Sequence, residues 1–148
     1  MTDDGERRRL GLETMAAVYG WPPVADSPGD FFGMTADHLF AEVWTRTVLT
    51  VRDRRLLLLG ALLASGDFDV IGLQLDAALR LGELDADQLR ELVVFLAHYV
   101  GWPRAAKLNT AVEQLLATHA RGGDAAEGRP GSRPSERRPP VDPAASSA

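Results

Sequence analysis

The chain has 148 residues, 45% of them apolar and 25% charged, with a net charge of −5 at neutral pH, which fits one globular domain of ordinary composition. Its acidic balance and the lack of a basic stripe speak against nucleic acid as a partner. There is no cysteine, which excludes disulfides, thiolate metal ligands and cysteine-based redox or nucleophilic chemistry.

In chain order, the N-terminal stretch "MTDDGERRRLGLETM" is charged throughout and carries no apolar h-region, so no signal peptide is read there. A first amphipathic helix is predicted over about 6–19, ending at Gly20. The following "GWPPVADSPGDFFG" is expected to be an ordered or semi-ordered loop, since Trp21, Phe31 and Phe32 would otherwise lie in solvent. Thr35 is placed to cap a short helix reaching Trp44. Thr50 and Asp53, three apart, open a helix to Ala64. Asp67 is read as the cap of a helix through Leu81, closed by Gly82, and Asp85 with Gln88 as a capping box for a helix to about Val100. Gly101 and Pro103 stop that helix and start the last, to about His119. No segment alternates with period two. The fold class is therefore all-α: a compact helical bundle of about six helices with a central antiparallel hairpin.

The longest apolar run, "LLLLGALLA" over 56–64, is too short to span a bilayer, so no membrane partner and a cytoplasmic location are expected. The same run is apolar on every side of its helix, a pattern of a bundle centre or a surface covered by another subunit. With only about 115 foldable residues to surround it, a homo-oligomer is the economical expectation. Residues 121–148 hold five arginines against four acids and one valine as their only large apolar side chain. The expected division is a helical domain over 1–120 and a disordered Pro/Gly/Arg-rich tail over 121–148.

The segment "LTVRDRRLLLLGALLASGDFDVIGLQLDAALRLGELDADQLRELVVFLAHYVGWPRAAKLNTAVEQL" (49–115), with its "LTVRDR", "AALRLG" and "HYVGWPRAAKLNTA" pieces, resembles the carboxymuconolactone decarboxylase family of the alkylhydroperoxidase D-like superfamily. The likeness covers roughly 31–116. It implies an all-α fold assembling as trimers or hexamers, and two alternative chemistries. One is a Cys-x-x-Cys peroxidase reaction, which a cysteine-free chain cannot perform. The other is cofactor-independent decarboxylation of γ-carboxymuconolactone in the β-ketoadipate pathway of aromatic-compound degradation. In that family a histidine usually stands at the position of Gln74 and a glutamate at that of Arg55. An amide cannot relay a proton at neutral pH and an arginine cannot act as a base, so the usual pair is missing here. This chain is similar to a divergent member of the family.

Candidate site residues follow from the hairpin. Counted from its turn, Arg55 and Gln74 lie at heights of roughly 16 and 12 Å, so they can face each other. Arg55 shares a face with Leu58, Leu59 and Leu62, and Gln74 with Ile71, Leu75 and Ala78. The functional expectation is that both bind a carboxylate or carbonyl of a small organic acid, Arg55 as a bidentate fork that also stabilises an enolate left by CO₂. The alternative is that Arg55 pairs with Asp53, Asp76 or a neighbouring subunit's carboxylate while Gln74 bonds a backbone group. His98 is a candidate proton donor, on a second helix face with Val94, Phe95 and Trp102 that should meet another element or subunit. Tyr99 lies beside it as a binding or core residue. His38, Glu42 and Arg46, four apart, form either a polar pocket wall, together with Trp44, or an exposed ion-pair row. No metal and no cofactor are expected.

Two functions stand open. One is a carboxy-lyase acting on a small carboxylated lactone or aromatic-derived acid, with isomerisation or lactone hydrolysis as a variant. The other is a non-catalytic oligomeric ligand-binding or scaffold member. An open pocket of about 300 Å³ ringed by Arg55, Gln74 and a histidine favours the first; loop aromatics filling that space favour the second.

Overall fold

A computed structural model describes residues 2–127. Among these residues the chain forms six α-helices and one π-helical stretch, and no strand. The helices are α1 (Thr2–Tyr19), α2 (Asp30–Met34), α3 (Val51–Ser65), α4 (Phe68–Arg80), α5 (Ala86–Val100) and α6 (Trp102–Glu127). The π-helical stretch, Thr35–Val43, continues directly from α2. The all-α expectation holds.

Local chemistry accounts for most of the boundaries. Thr50 and Asp53 form a reciprocal capping box at the start of α3, as do Asp85 and Gln88 at the start of α5. Gly66 ends α3 in the left-handed region at φ 85°, its N–H bonded to the carbonyl of Leu62 at 2.9 Å. The Asp67 carboxylate does not cap α4; it accepts the Ser65 hydroxyl at 2.6 Å instead, because the short turn brings those two side chains together first. The helix expected from Thr35 opens earlier, at Asp30. Thr35 lies inside it and bonds back to the Phe31 carbonyl at 2.8 Å. Of the segment expected as a loop, Trp21 stacks on Tyr19, whereas Phe31 and Phe32 fall within α2, Phe32 packing inward and Phe31 88% exposed. The last helix continues beyond His119 into the expected tail, and the rest of that segment, 128–148, lies outside the described residues.

Two apolar clusters result. The larger joins α3, α4, α5 and α6 through Leu59, Leu63, Ile71, Leu75, Leu89, Leu108 and Val112, each buried leucine contributing about 1.5–3 kcal/mol. The smaller joins α1 to the π-helical stretch through Met15, Val18 and Phe40. Gly11 permits that second contact: a Cβ there would lie 2.0 Å from the Ala36 carbonyl oxygen, so only a residue without a side chain lets α1 approach so closely. On α3 the buried row is Arg55, Leu59 and Leu63, at i, i+4 and i+8, whereas Leu57 is 64% exposed. Within this chain α3 is thus covered on one side only.

Candidate functional site

Arg55 and Gln74 meet where the two clusters join. Both are essentially buried, at 0% and 1% exposure. Arg55 is on the first turns of α3 and Gln74 is at the middle of α4, and the 3.6-residue period aims both inward with Leu59 and Ile71. A buried guanidinium needs acceptors for its N–H groups, and this chain engages four of the five. Nε donates to Glu83 Oε2 at 2.9 Å and Nη2 to Glu83 Oε1 at 3.0 Å, a bidentate pair. Nη1 donates to Gln74 Oε1, and Nη2 also donates to the Val18 carbonyl. The Trp44 ring lies 5.8 Å from the guanidinium carbon, within cation–π range. Gln74 in turn donates through Nε2 to the Tyr19 hydroxyl at 3.3 Å. No buried side-chain polar atom among the described residues lacks a partner.

The network also closes the end of α1. That helix has no basic residue in its last turn, so its C-terminal carbonyls and negative dipole end need cations from elsewhere. Arg55 of α3 takes the Val18 carbonyl. Arg80 of α4 takes the carbonyls of Tyr19 and Gly20 at 2.7 and 2.9 Å, while its Nε is held by Asp76 at 2.8 Å. Trp21 stacks on Tyr19 with ring centroids 4.4 Å apart. One loop aromatic therefore backs the tyrosine that covers Gln74.

The carboxylate on Arg55 is neither Asp53 nor Asp76. Asp53 belongs to the α3 capping box, where hydrogen bonds from Thr50 hold its carboxyl below the usual range. Asp76 belongs to Arg80. Glu83, 12% exposed, was not singled out from the sequence because it sits in the turn after Gly82, where periodicity assigns no face. The hairpin arithmetic contained a signal: α3 before its turn and α4 after it are of similar length, so the end of α4 returns to the level of Arg52 and Arg55. Arg52 indeed donates to the Glu83 carbonyl at 3.0 Å. Tyr19 and Val18 carried no such signal, since their contact is set by the docking of α1.

The histidines are elsewhere. His98 is exposed on α5, with Nδ1 2.8 Å from the Val94 carbonyl and its ring edge-on to Trp102. Tyr99 is 75% exposed and packs against Phe95. His38 pairs with Glu42 at 2.7 Å on the outer side of the π-helical stretch, and Arg46 is exposed beyond it. Of the expected pocket wall only Trp44 reaches Arg55. The chain thus brings Arg55, Gln74 and Trp44 together and leaves His98, Tyr99, His38 and Arg46 on its surface.

The two broad surface grooves do not include Arg55 or Gln74. One, of about 830 Å³, is lined by Arg8, Asp26, Asp30 and Asp37 among others. There Arg8 bridges Asp37 at 2.5 and 2.8 Å and Asp26 at 2.7 Å, and these bonds hold the Asp37 carboxyl below the usual range. The other, of about 800 Å³, runs along α1 past Ala16, Trp21, Val24 and Leu81. Among the described residues no three His, Asp or Glu side chains converge as a metal site, and no helix is long and apolar enough to cross a membrane.

Chemically, the Arg55 position is a cation with four of its five N–H donors engaged within the chain. Its donors are held by an ion-paired carboxylate, an amide and a backbone carbonyl, and the amide that faces it exchanges no proton. Comparisons with curated proteins and with solved structures return no match. A family profile described as the carboxymuconolactone decarboxylase family matches residues 29–114. That span runs from the start of α2 into α6 and leaves α1 outside. It takes in more than half of the chain, and the strand-free helical architecture agrees with the alkylhydroperoxidase D-like fold; the chain belongs to the carboxymuconolactone decarboxylase family.

Proposed function

We propose that this chain is a homo-oligomeric ligand-binding or scaffold member of its family, in which the position of the usual acid–base pair has become a structural clamp. One observation carries the reading: Arg55 is fully buried and its fork is filled by Glu83, Gln74 and the Val18 carbonyl of its own chain. A substrate carboxylate would have to displace an ion pair already made at 2.9 Å, and breaking a buried pair costs about 3–5 kcal/mol. His98 and His38 are exposed, and their ring nitrogens meet the Val94 carbonyl and Glu42 and not the Arg55 network.

The test is incubation of the purified full chain with γ-carboxymuconolactone, followed by the lactone's ultraviolet absorbance and by CO₂ release. No turnover above the uncatalysed rate is expected. Turnover abolished by Arg55→Met in a folded protein would overturn the clamp reading. The family match over 29–114 favours a second reading, a cofactor-independent carboxy-lyase for a small carboxylated lactone. In that case Arg55 and Gln74 orient the substrate and His98 or His38 moves the proton.

A further inference from the structure

The connection 20–29 between α1 and α2 borders two adjoining grooves of opposite character. Its first half walls the apolar one, where Trp21, Pro23 and Val24 stand with Leu12, Ala16 and Leu81 around about 800 Å³. Its second half opens the acidic one, of about 830 Å³, where Asp26, Asp30 and Asp37 outnumber the single cation Arg8. Arg8 is taken up by Asp37 and Asp26, and Asp30 makes no ion pair among the described residues. Trp21 is 40% exposed, with one ring, Tyr19, stacked on it. Both grooves are walled in part by α1, which lies outside the 29–114 span of the family profile.

The chain contains one segment with the matching pattern. In "RPSERRPPVDP", 133–143, Arg133, Arg137 and Arg138 run directly into Pro139, Pro140 and Val141. We propose that this segment of the chain's own C-terminal tail lies across the 20–29 connection, its arginines over the acidic groove and Pro139–Val141 in the apolar one.

Three observations select this occupant. First, the order of character agrees: acidic beside apolar on the domain, basic beside apolar on the tail, with no spacer in either, so both halves are complementary at once. Second, the apolar half fits in chemistry and length. Proline-rich segments seat on exposed aromatic rings because their fixed φ leaves little entropy to lose. From Leu12 to Gly20 the groove follows α1 for about 12 Å, which is four residues of polyproline helix at about 3.1 Å each, the length of Pro139–Asp142. Third, the segment reaches. Pro139 is the twelfth residue after Glu127, where α6 ends, which allows about 37 Å, and a domain of this size is about 35 Å across. Such a tether supplies an effective concentration in the millimolar range, so a contact too weak to hold a free peptide is populated in the intact chain. Seated there, the segment covers Trp21 and backs Tyr19, which meets Gln74; the tail is then a removable cover beside the Arg55 clamp.

This contact is independent of whether the chain turns over a lactone. Because the chain has no cysteine, a single nitroxide on Ala144→Cys locates the tail in the full-length protein by nuclear magnetic resonance. With isotope-labelled, nitroxide-bearing chains diluted in an excess of unlabelled wild type, the signals of Leu12, Ala16, Trp21 and Val24 are expected to lose more than half their intensity relative to the reduced label. Those of Leu57 on α3 and Val94 on α5 should keep theirs. Arg137→Glu with Arg138→Glu, and separately Pro139→Ser with Val141→Ser, should each shrink the loss about twofold or more. Equal broadening over the whole domain, or losses that both pairs of substitutions leave unchanged, would overturn the proposal. So would losses that arise only when nitroxide-bearing chains are mixed with isotope-labelled chains carrying none, since another copy's tail would then fill the groove.

Discussion

Removing Glu83 asks whether the Arg55 network is a clamp. In Glu83→Ala the guanidinium loses both halves of its bidentate pair, at 2.9 and 3.0 Å, and cannot reach water because Arg55 is 0% exposed. An uncompensated buried charge costs about 3–5 kcal/mol, which for a domain of this size lowers the melting temperature by roughly 10–15 °C. Arg55→Met removes the charge but leaves Glu83, Gln74 and the Val18 carbonyl without their donor. Glu83, with 12% exposure, can rehydrate in part, so this loss is smaller, about 2–3 kcal/mol. The double variant removes the charge and its partner together. Its cost should fall short of the sum of the singles by at least about 1.5 kcal/mol. Urea unfolding of the four proteins, with association state held constant, measures the cycle. A Glu83→Ala cost below about 1 kcal/mol, or singles that add within about 0.5 kcal/mol, would refute the reasoning.

Gly11→Ala separates two opposing effects. Helix propensity alone predicts a gain of about 1 kcal/mol in the middle of α1, whereas a Cβ 2.0 Å from the Ala36 carbonyl forces the helix off the π-helical stretch. The expected result is a loss of about 2 kcal/mol or more, and a rise in melting temperature would show that this contact is not made. Asp37 tests the acid range. Its folded-state pKa is lowered, by hydrogen bonds from Arg8 first and by the charges of Arg8 and Arg7 after. Its contribution to stability is therefore present above the unfolded carboxyl pKa of about 4 and lost as pH falls through the lower folded value. Asp37→Asn should flatten the decline of the urea midpoint below about pH 4.5, and an unchanged acid slope would discard the Arg8 bridge as a source of stability.

Much of the fold was legible because it is written in short-range chemistry. The capping boxes at Thr50 and Asp85 and the positive-φ glycines at 20, 82 and 101 act within a few residues, so residue type alone locates them. Where neighbours compete for one hydrogen bond, that reading slipped: Asp67 took the Ser65 hydroxyl, and Thr35 bonded back into a helix begun at Asp30. The placement of Arg55 opposite Gln74 was legible too, since helix rise and a short turn determine it.

What surrounds that pair was not. Its carboxylate comes from Glu83 in a turn, and its remaining partners come from Val18 and Tyr19 at the end of α1, 37 and 55 positions away in sequence from the groups they meet. A sequence determines which side chains a helix turns inward, because 3.6 residues per turn is a local property of the backbone. Which groups then fill the donors of a buried cation is decided by the docking of distant elements, here α1 and the α4–α5 turn, and only tertiary packing brings them within 3 Å of one guanidinium.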